Sequence, residues 1–118
     1  MTKAYDVQVT VRDFDPKKLT QIYTVVRAMW TITEDTNGED AHGVNFVELS
    51  GCGGLSDDDF EDSLAERIRD AVWRVAGRCG VEVVATCLVD LPNNRYSYGV
   101  HDYDMDAERL GLKEKLKK

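Results

Sequence analysis

Between Tyr5 and Arg12 the chain alternates without a break. Tyr5, Val7, Val9 and Val11 are apolar, and Asp6, Gln8, Thr10 and Arg12 are polar. A period of two puts the two sets on opposite faces of one strand, one face in a core and the other toward water. Such a strand needs sheet neighbours and a second layer over its apolar side.

Candidates for both follow along the chain. Asp15-Pro16 is a helix start, because Asp15 can accept from the free N–H groups and Pro16 gives up no needed donor at the first position. Leu19, Ile22, Tyr23, Val26, Met29 and Trp30 recur at spacings of three and four, which predicts a helix over residues 16–30. Thr31-Ile32-Thr33 is a short strand candidate. The polar stretch from Asp35 to Gly43 contains Asn37-Gly38, a turn signal. Val44 to Leu49 reads as the next strand and Ser50-Gly51-Cys52-Gly53-Gly54 as a flexible loop. Ser56 caps a second helix expected over 57–78, with Asp57, Asp58 and Asp59 favoured by the helix dipole. Phe60, Leu64, Ile68, Ala71, Val72, Val75 and Cys79 trace its apolar stripe, and Gly80 stops it. Val81 to Leu91 is the strongest strand. Pro92-Asn93-Asn94 turns the chain, Tyr96 to Tyr98 leaves room for a short strand, and Asp106 to Leu116 for a last helix.

The order βαββαβ suits an α+β fold, a ferredoxin-like sandwich with a four-stranded antiparallel sheet and two helices on one face. The 118 residues suffice for one core, so we expect a single domain with its core in 4–91 and a C-terminal extension over 92–118. Val7, Val9, Ile22, Val26, Phe46, Leu64, Ile68, Val72, Val83 and Ala85 are the expected core. Val84 and Leu88 fall on the other face of the last long strand. They mark a patch to be covered by the tail, through Tyr96, Tyr98, Val100 and Tyr103, or by a second copy or a partner protein.

The formal charge is −7, unevenly spread: residues 109–118 hold five basic side chains and one acid, so residues 1–108 carry −11. That field repels phosphate backbones and attracts basic protein surfaces. The first residues lack a signal-peptide core, no apolar run spans a bilayer, and the odd set Cys52, Cys79 and Cys87 has no CxxC spacing. The expectation is a cytoplasmic protein without membrane contact and with free thiols.

The string from His42 to Leu49 resembles the third-strand signature of RNA-recognition motifs in Gly43, Phe46 and Val47. That resemblance implies a sheet face on which bases stack. Val44, His42 and Leu49 stand where that signature has an aromatic, a cation and a second aromatic, and stacking is the physical basis of such binding. Direct nucleic-acid binding is therefore not expected. The glycine-rich loop before the second helix lacks the lysine and hydroxyl of a phosphate loop. Asp102, Asp104 and Asp106 have the first spacings of a calcium loop, but Ala107 and Lys113 replace its glycine and bidentate glutamate. They read as a solvated acidic loop. His42 and His101 have no ligand-spaced neighbour. No catalytic residue, metal or cofactor is assigned.

What remains is acid. Glu39, Asp40, Asp57, Asp58, Asp59, Glu61, Asp62 and Glu66 are the expected partner-binding patch, aimed at a protein with a basic surface. The functional expectation is a non-enzymatic protein-binding module. One form would be an inhibitor of a basic nucleic-acid-handling complex, of the anti-CRISPR-like, anti-restriction or immunity kind. A self-associating structural protein, forming homo-oligomers, and a small ligand-binding or enzymatic domain are the alternatives.

Overall fold

The computed structural model describes residues 2–56, 61–88 and 93–106. In chain order these form β1 (Thr2–Arg12), a 3-10 turn (Pro16–Lys18), α1 (Leu19–Met29), β2 (Glu34–Glu39), β3 (Asn45–Ser56), α2 (Glu61–Ala76), β4 (Gly80–Cys87), β5 (Asn93–Tyr98) and α3 (Val100–Asp106). All five strands join one antiparallel sheet in the order β2-β3-β1-β4-β5. The fold is α+β with three helices, and the sheet has one strand more than the four-stranded sandwich expected. The extension supplies the addition: β5 pairs with β4, Val83 opposite Tyr96 and Val81 opposite Tyr98.

β1 behaves as its alternation requires. It lies between β3 and β4, with Val9 opposite both Leu49 and Val83, and Val11 opposite both Val47 and Val81. Val7, Val9, Val11, Val47, Leu49 and Val83 are fully buried. They form one core with Ile22 and Val26 of α1 and with Leu64, Ile68, Val72 and Trp73 of α2. Odd-numbered residues of β1, β3 and β4 thus face the helices.

This phase corrects one core assignment. Phe46 pairs with Arg12, on the even-numbered face, and is only half-buried, its ring 5.9 Å from the Arg12 guanidinium. Val47 and Leu49 take the core positions instead.

Two loop readings are also overturned. The strand after α1 is Glu34–Glu39 rather than Thr31–Thr33, and it runs straight through Asn37-Gly38. The reversal comes four residues later. Asp40 Oδ1 accepts from the N–H groups of His42 and Val44, and Gly43 takes the positive φ of 78°. Ser50–Gly54, read as a loop, lies inside β3. Its glycines are there for room. A Cβ on Gly51 would lie 2.0 Å from the Thr31 carbonyl oxygen, and one on Gly53 2.9 Å from the Trp30 ring. Trp30 lies across this bare strand and donates its indole N–H to Gly51 O at 2.8 Å.

The first helix is close to expectation at its start. Asp15 Oδ1 accepts from Lys17 N–H, but the first turn is 3-10 and α1 ends at Met29. α2 is described from Glu61, and residues 57–60 lie outside the described residues. β4 ends at Cys87, and residues 89–92, part of the expected strand, are likewise outside. The expected last helix falls beyond residue 106. A different helix, α3, precedes it, with Asp102 Oδ2 accepting from Gly99 N–H at 2.8 Å across its first turn.

We expect Gly51→Ala to lower stability by at least ~1–3 kcal/mol, the cost of an overpacked site, because the clash is with backbone. Gly53→Ala should cost less, because the Trp30 ring can tilt. Leu64→Ala should cost ~2–5 kcal/mol as a core truncation. Urea midpoints at constant slope would check all three, and a Gly51→Ala midpoint equal to that of the parent would contradict the close approach.

Candidate functional site

The same phase that fills the core sends the even-numbered strand residues to the other side of the sheet, where no described helix packs. Across it run Glu34 and Thr36 from β2, Phe46, Glu48, Ser50 and Cys52 from β3, Asp6, Gln8, Thr10 and Arg12 from β1, Glu82, Val84 and Thr86 from β4, and Arg95 and Ser97 from β5. Five strands at ~4.8 Å spacing make this face roughly 20 Å wide between its outer strands.

Its charges are unequally matched. At the β4–β5 side Arg95 donates to Glu82 at 2.9 Å, and Ser97 Oγ donates to the same oxygen at 3.1 Å. Arg12 leans to Asp40 at 3.8 Å. At the β1–β3–β2 side lie Asp6, Glu34 and Glu48, and among the described residues none of the three has a basic partner. They surround Ser50. Gln8 and Glu34 flank it on the neighbouring strands, Glu48 precedes it on its own face, and Asp6 pairs with Cys52 one step further on. A groove of about 300 Å³ opens here, lined by Asp6, Gln8, Glu34, Asp35, Thr36, Glu48 and Ser50. Among the described residues no group of three or more such ligands is placed to hold a metal ion. The carboxylates are spread along the pleat as a surface charge.

The acidic patch expected from sequence is divided by the fold. Glu39 and Asp40 sit at the turn where β3 begins, and Glu61, Asp62 and Glu66 on the helix after β3 ends. Glu61 meets Tyr5, which pairs with Gly53, so the strand from Asn45 to Gly53 sets Glu61 roughly 26 Å from that turn at ~3.3 Å per residue. Asp40 is occupied by its turn and by Arg12. Glu61 is a tether: Asn94 donates to it at 2.6 Å, and the Tyr5 hydroxyl also donates to it. That bond first, and burial second, hold the Tyr5 phenol well above its ordinary pKa. Asp62 and Glu66 are exposed. Asp57, Asp58 and Asp59 lie outside the described residues.

Val84 is half-buried and Leu88 is 43% exposed, both on the open side of the sheet. The tail does not cover them within the described residues. Tyr96 and Tyr98 face the helices instead, and Tyr103 of α3 meets Trp73 edge-on with ring centroids 5.3 Å apart. Around them is a cluster the sequence reading passed over. Arg69, only 7% exposed, sits 4.7 Å from the Tyr98 ring and 5.3 Å from the Trp73 ring and pairs with Asp70 at 2.8 Å. Trp73 donates its indole N–H to Cys79 O at 2.9 Å. The Arg69–Trp73 spacing of four on one helix was the available signal.

Asp102, Asp104 and Asp106 are helical rather than in a loop, and Asp104 forms a two-point pair with Arg78 at 2.9 and 3.0 Å. His42 and His101 are exposed. Cys52 is exposed on the open face with its Sγ 3.9 Å from Asp6 Oδ1, whereas Cys79 and Cys87 are buried. Among the described residues no helix is long and apolar enough to cross a membrane.

Searches against family models, curated proteins and solved structures return no match.

Burial, with the Asp13 carboxylate adding to it, pushes the Cys79 thiol up from an ordinary 9.0 to about 12. A raised folded-state pKa stabilises fully below the unfolded value and is lost as pH climbs toward the folded one. Stability should therefore fall across pH 9 to 12. Thermal midpoints from pH 8 upward should show a shallower decline in Cys79→Ala than in the parent. A thiol reagent should label Cys52 alone in the native protein and all three cysteines in denaturant. Native labelling of Cys79 would contradict the core.

Proposed function

We propose that this chain is a non-enzymatic protein-binding module that engages a partner with a basic surface. The observation that carries the proposal is the set Asp6, Glu34 and Glu48, which have no basic partner among the described residues and stand on a sheet face that no described helix covers. Unmatched carboxylates held on a rigid sheet repel one another in the free protein. A cationic surface relieves that repulsion, and the long-range field speeds its approach. An inhibitor of a nucleic-acid-handling complex fits this reading, because carboxylates set on a sheet can meet arginines and lysines that otherwise meet phosphates. The chain order of β1 to β4 and the central place of β1 support a ferredoxin-like frame for the module, widened by β5.

Self-association through Val84 and Leu88 has less support. Val84 stands between Gln8 and Arg95 on the neighbouring strands. Phe46 lies at the far end of β3, so no broad apolar patch forms among the described residues.

The association rate with a basic partner should fall steeply between low and physiological salt, where screening acts over ~8–10 Å. Asp6→Asn, Glu34→Gln and Glu48→Gln together should slow association by about tenfold or more while leaving dissociation less changed. Neutralising Glu61, Asp62 and Glu66 should have the smaller effect. A larger loss from the helix set would move the site to α2, and full binding by both variants would remove carboxylate recognition altogether.

A further inference from the structure

β2 is an outer strand of the sheet, and its outward edge is built to accept another strand. The direction of its backbone groups follows from the ladder. Asp13 N–H donates to Asn45 O, and Thr33 N–H donates to Ser50 O. Odd-numbered residues of β3 therefore bond to β1, and even-numbered residues bond toward β2. Glu34, Thr36 and Gly38 stand opposite Ser50, Glu48 and Phe46, and Asp40 N–H donates to Val44 O, so even-numbered β2 residues point inward. The N–H and C=O groups of Asp35, Asn37 and Glu39 point away from the sheet. No strand pairs with that edge among the described residues.

The edge lacks the usual blocks to strand addition, lysine, proline or a bulge, and reads Glu-Asp-Thr-Asn-Gly-Glu. It is nonetheless closed to a second copy. Antiparallel pairing of two β2 strands through their outward residues, about Asn37, sets Asp35 opposite Glu39 twice, and like charges directly opposite are unfavourable. Grooves flank the edge on both sides. On the open face is the carboxylate groove with Glu34, Glu48 and Asp6. On the helix side a groove of about 350 Å³ runs beside α1, lined by Thr20, Tyr23, Thr24, Arg27 and Asp35. Its floor is held in place, since Tyr23 donates to Asp35 at 3.2 Å and Asn37 donates to the Tyr23 hydroxyl at 3.4 Å.

We propose that β2 binds its partner by strand addition, and that the occupant is an extended segment alternating lysine or arginine with apolar or hydroxyl residues. Successive side chains of a strand point to opposite faces. The cations of such a segment meet Glu34 and Glu48, and the residues between them enter the α1 groove. Backbone bonds to Asp35, Asn37 and Glu39 supply the common affinity, and the charges supply the choice. This inference rests on the protein-binding reading and names its mode and partner.

The test uses the full chain and a nine-residue capped peptide in which lysine alternates with valine and threonine. Its control is the same peptide methylated at the backbone nitrogens that would face β2. With peptide at ten times its Kd, amide exchange at Asp35, Asn37 and Glu39 should slow by about tenfold. The methylated peptide should not do this. Asn37→Pro, which removes an outward donor and leaves the pairing to β3 intact, should weaken binding by about tenfold with an otherwise unchanged amide spectrum. Glu34→Lys with Glu48→Lys should abolish binding of the lysine peptide and admit one with glutamate in its place. Peptide binding that leaves the β2 amides untouched and tolerates methylation overturns strand addition while the basic-partner reading stands. No binding up to millimolar peptide overturns both.

Discussion

The phase of the pleat in β1 governs the rest of the molecule. The strand is held on both sides, by β3 and by β4, and its valines are fully buried. A slip of one residue against either neighbour would turn Asp6, Gln8, Thr10 and Arg12 into the core and expose the valines. At ~1.5–3 kcal/mol for each fully buried valine, that alternative is out of reach. The same constraint decides which residues remain outside. Thr10, at 4% exposure, lies mid-sheet on the open face between Glu48 and Glu82, and the carboxylates of β1, β2 and β3 take their side by register alone.

The C-terminal elements explain why that face stays open. Tyr98 and Tyr103 turn to the helix side, where both rings pack on Trp73 and Tyr98 also meets Arg69, and β5 makes its strand bonds with β4. The extension adds the outer strand at one edge of the sheet and packs on the flank of α2. Among the described residues it gives the opposite face only Arg95 and Ser97 and does not pair with the far edge, β2. The two edges of the sheet are thus unlike: one is finished by aromatic packing, the other is acidic backbone.

β1, both long helical stripes and the Asp15 cap were legible in the sequence because each depends on local periodicity or on one neighbouring donor. β2 was not, because Glu34 to Glu39 contains no apolar residue and becomes a strand only through its ladder to β3. The glycines at 51 and 53 read as a loop because their reason lies elsewhere in the chain, in the Trp30 ring and the Thr31 carbonyl. Phe46 was misplaced because a run such as Val44 to Leu49 is apolar on both faces and does not announce its own phase. The acids at 39–40 and 61–66 lie close along the chain, and the length of β3 separates them. Asp6 and Glu48 were visible as the polar half of an alternating strand. Their meaning depended on three strands being set side by side.

This one phase leaves an unmatched negative field on the β1–β3–β2 side of the open face. Paramagnetic relaxation of backbone amides by a small cationic nitroxide, compared with its neutral analogue, reads such a field directly. Excess relaxation by the cation is expected at Asp6, Glu34, Glu48 and Ser50, lost in high salt as the Debye length shrinks to ~3 Å. Equal relaxation by the two probes at those amides would contradict it.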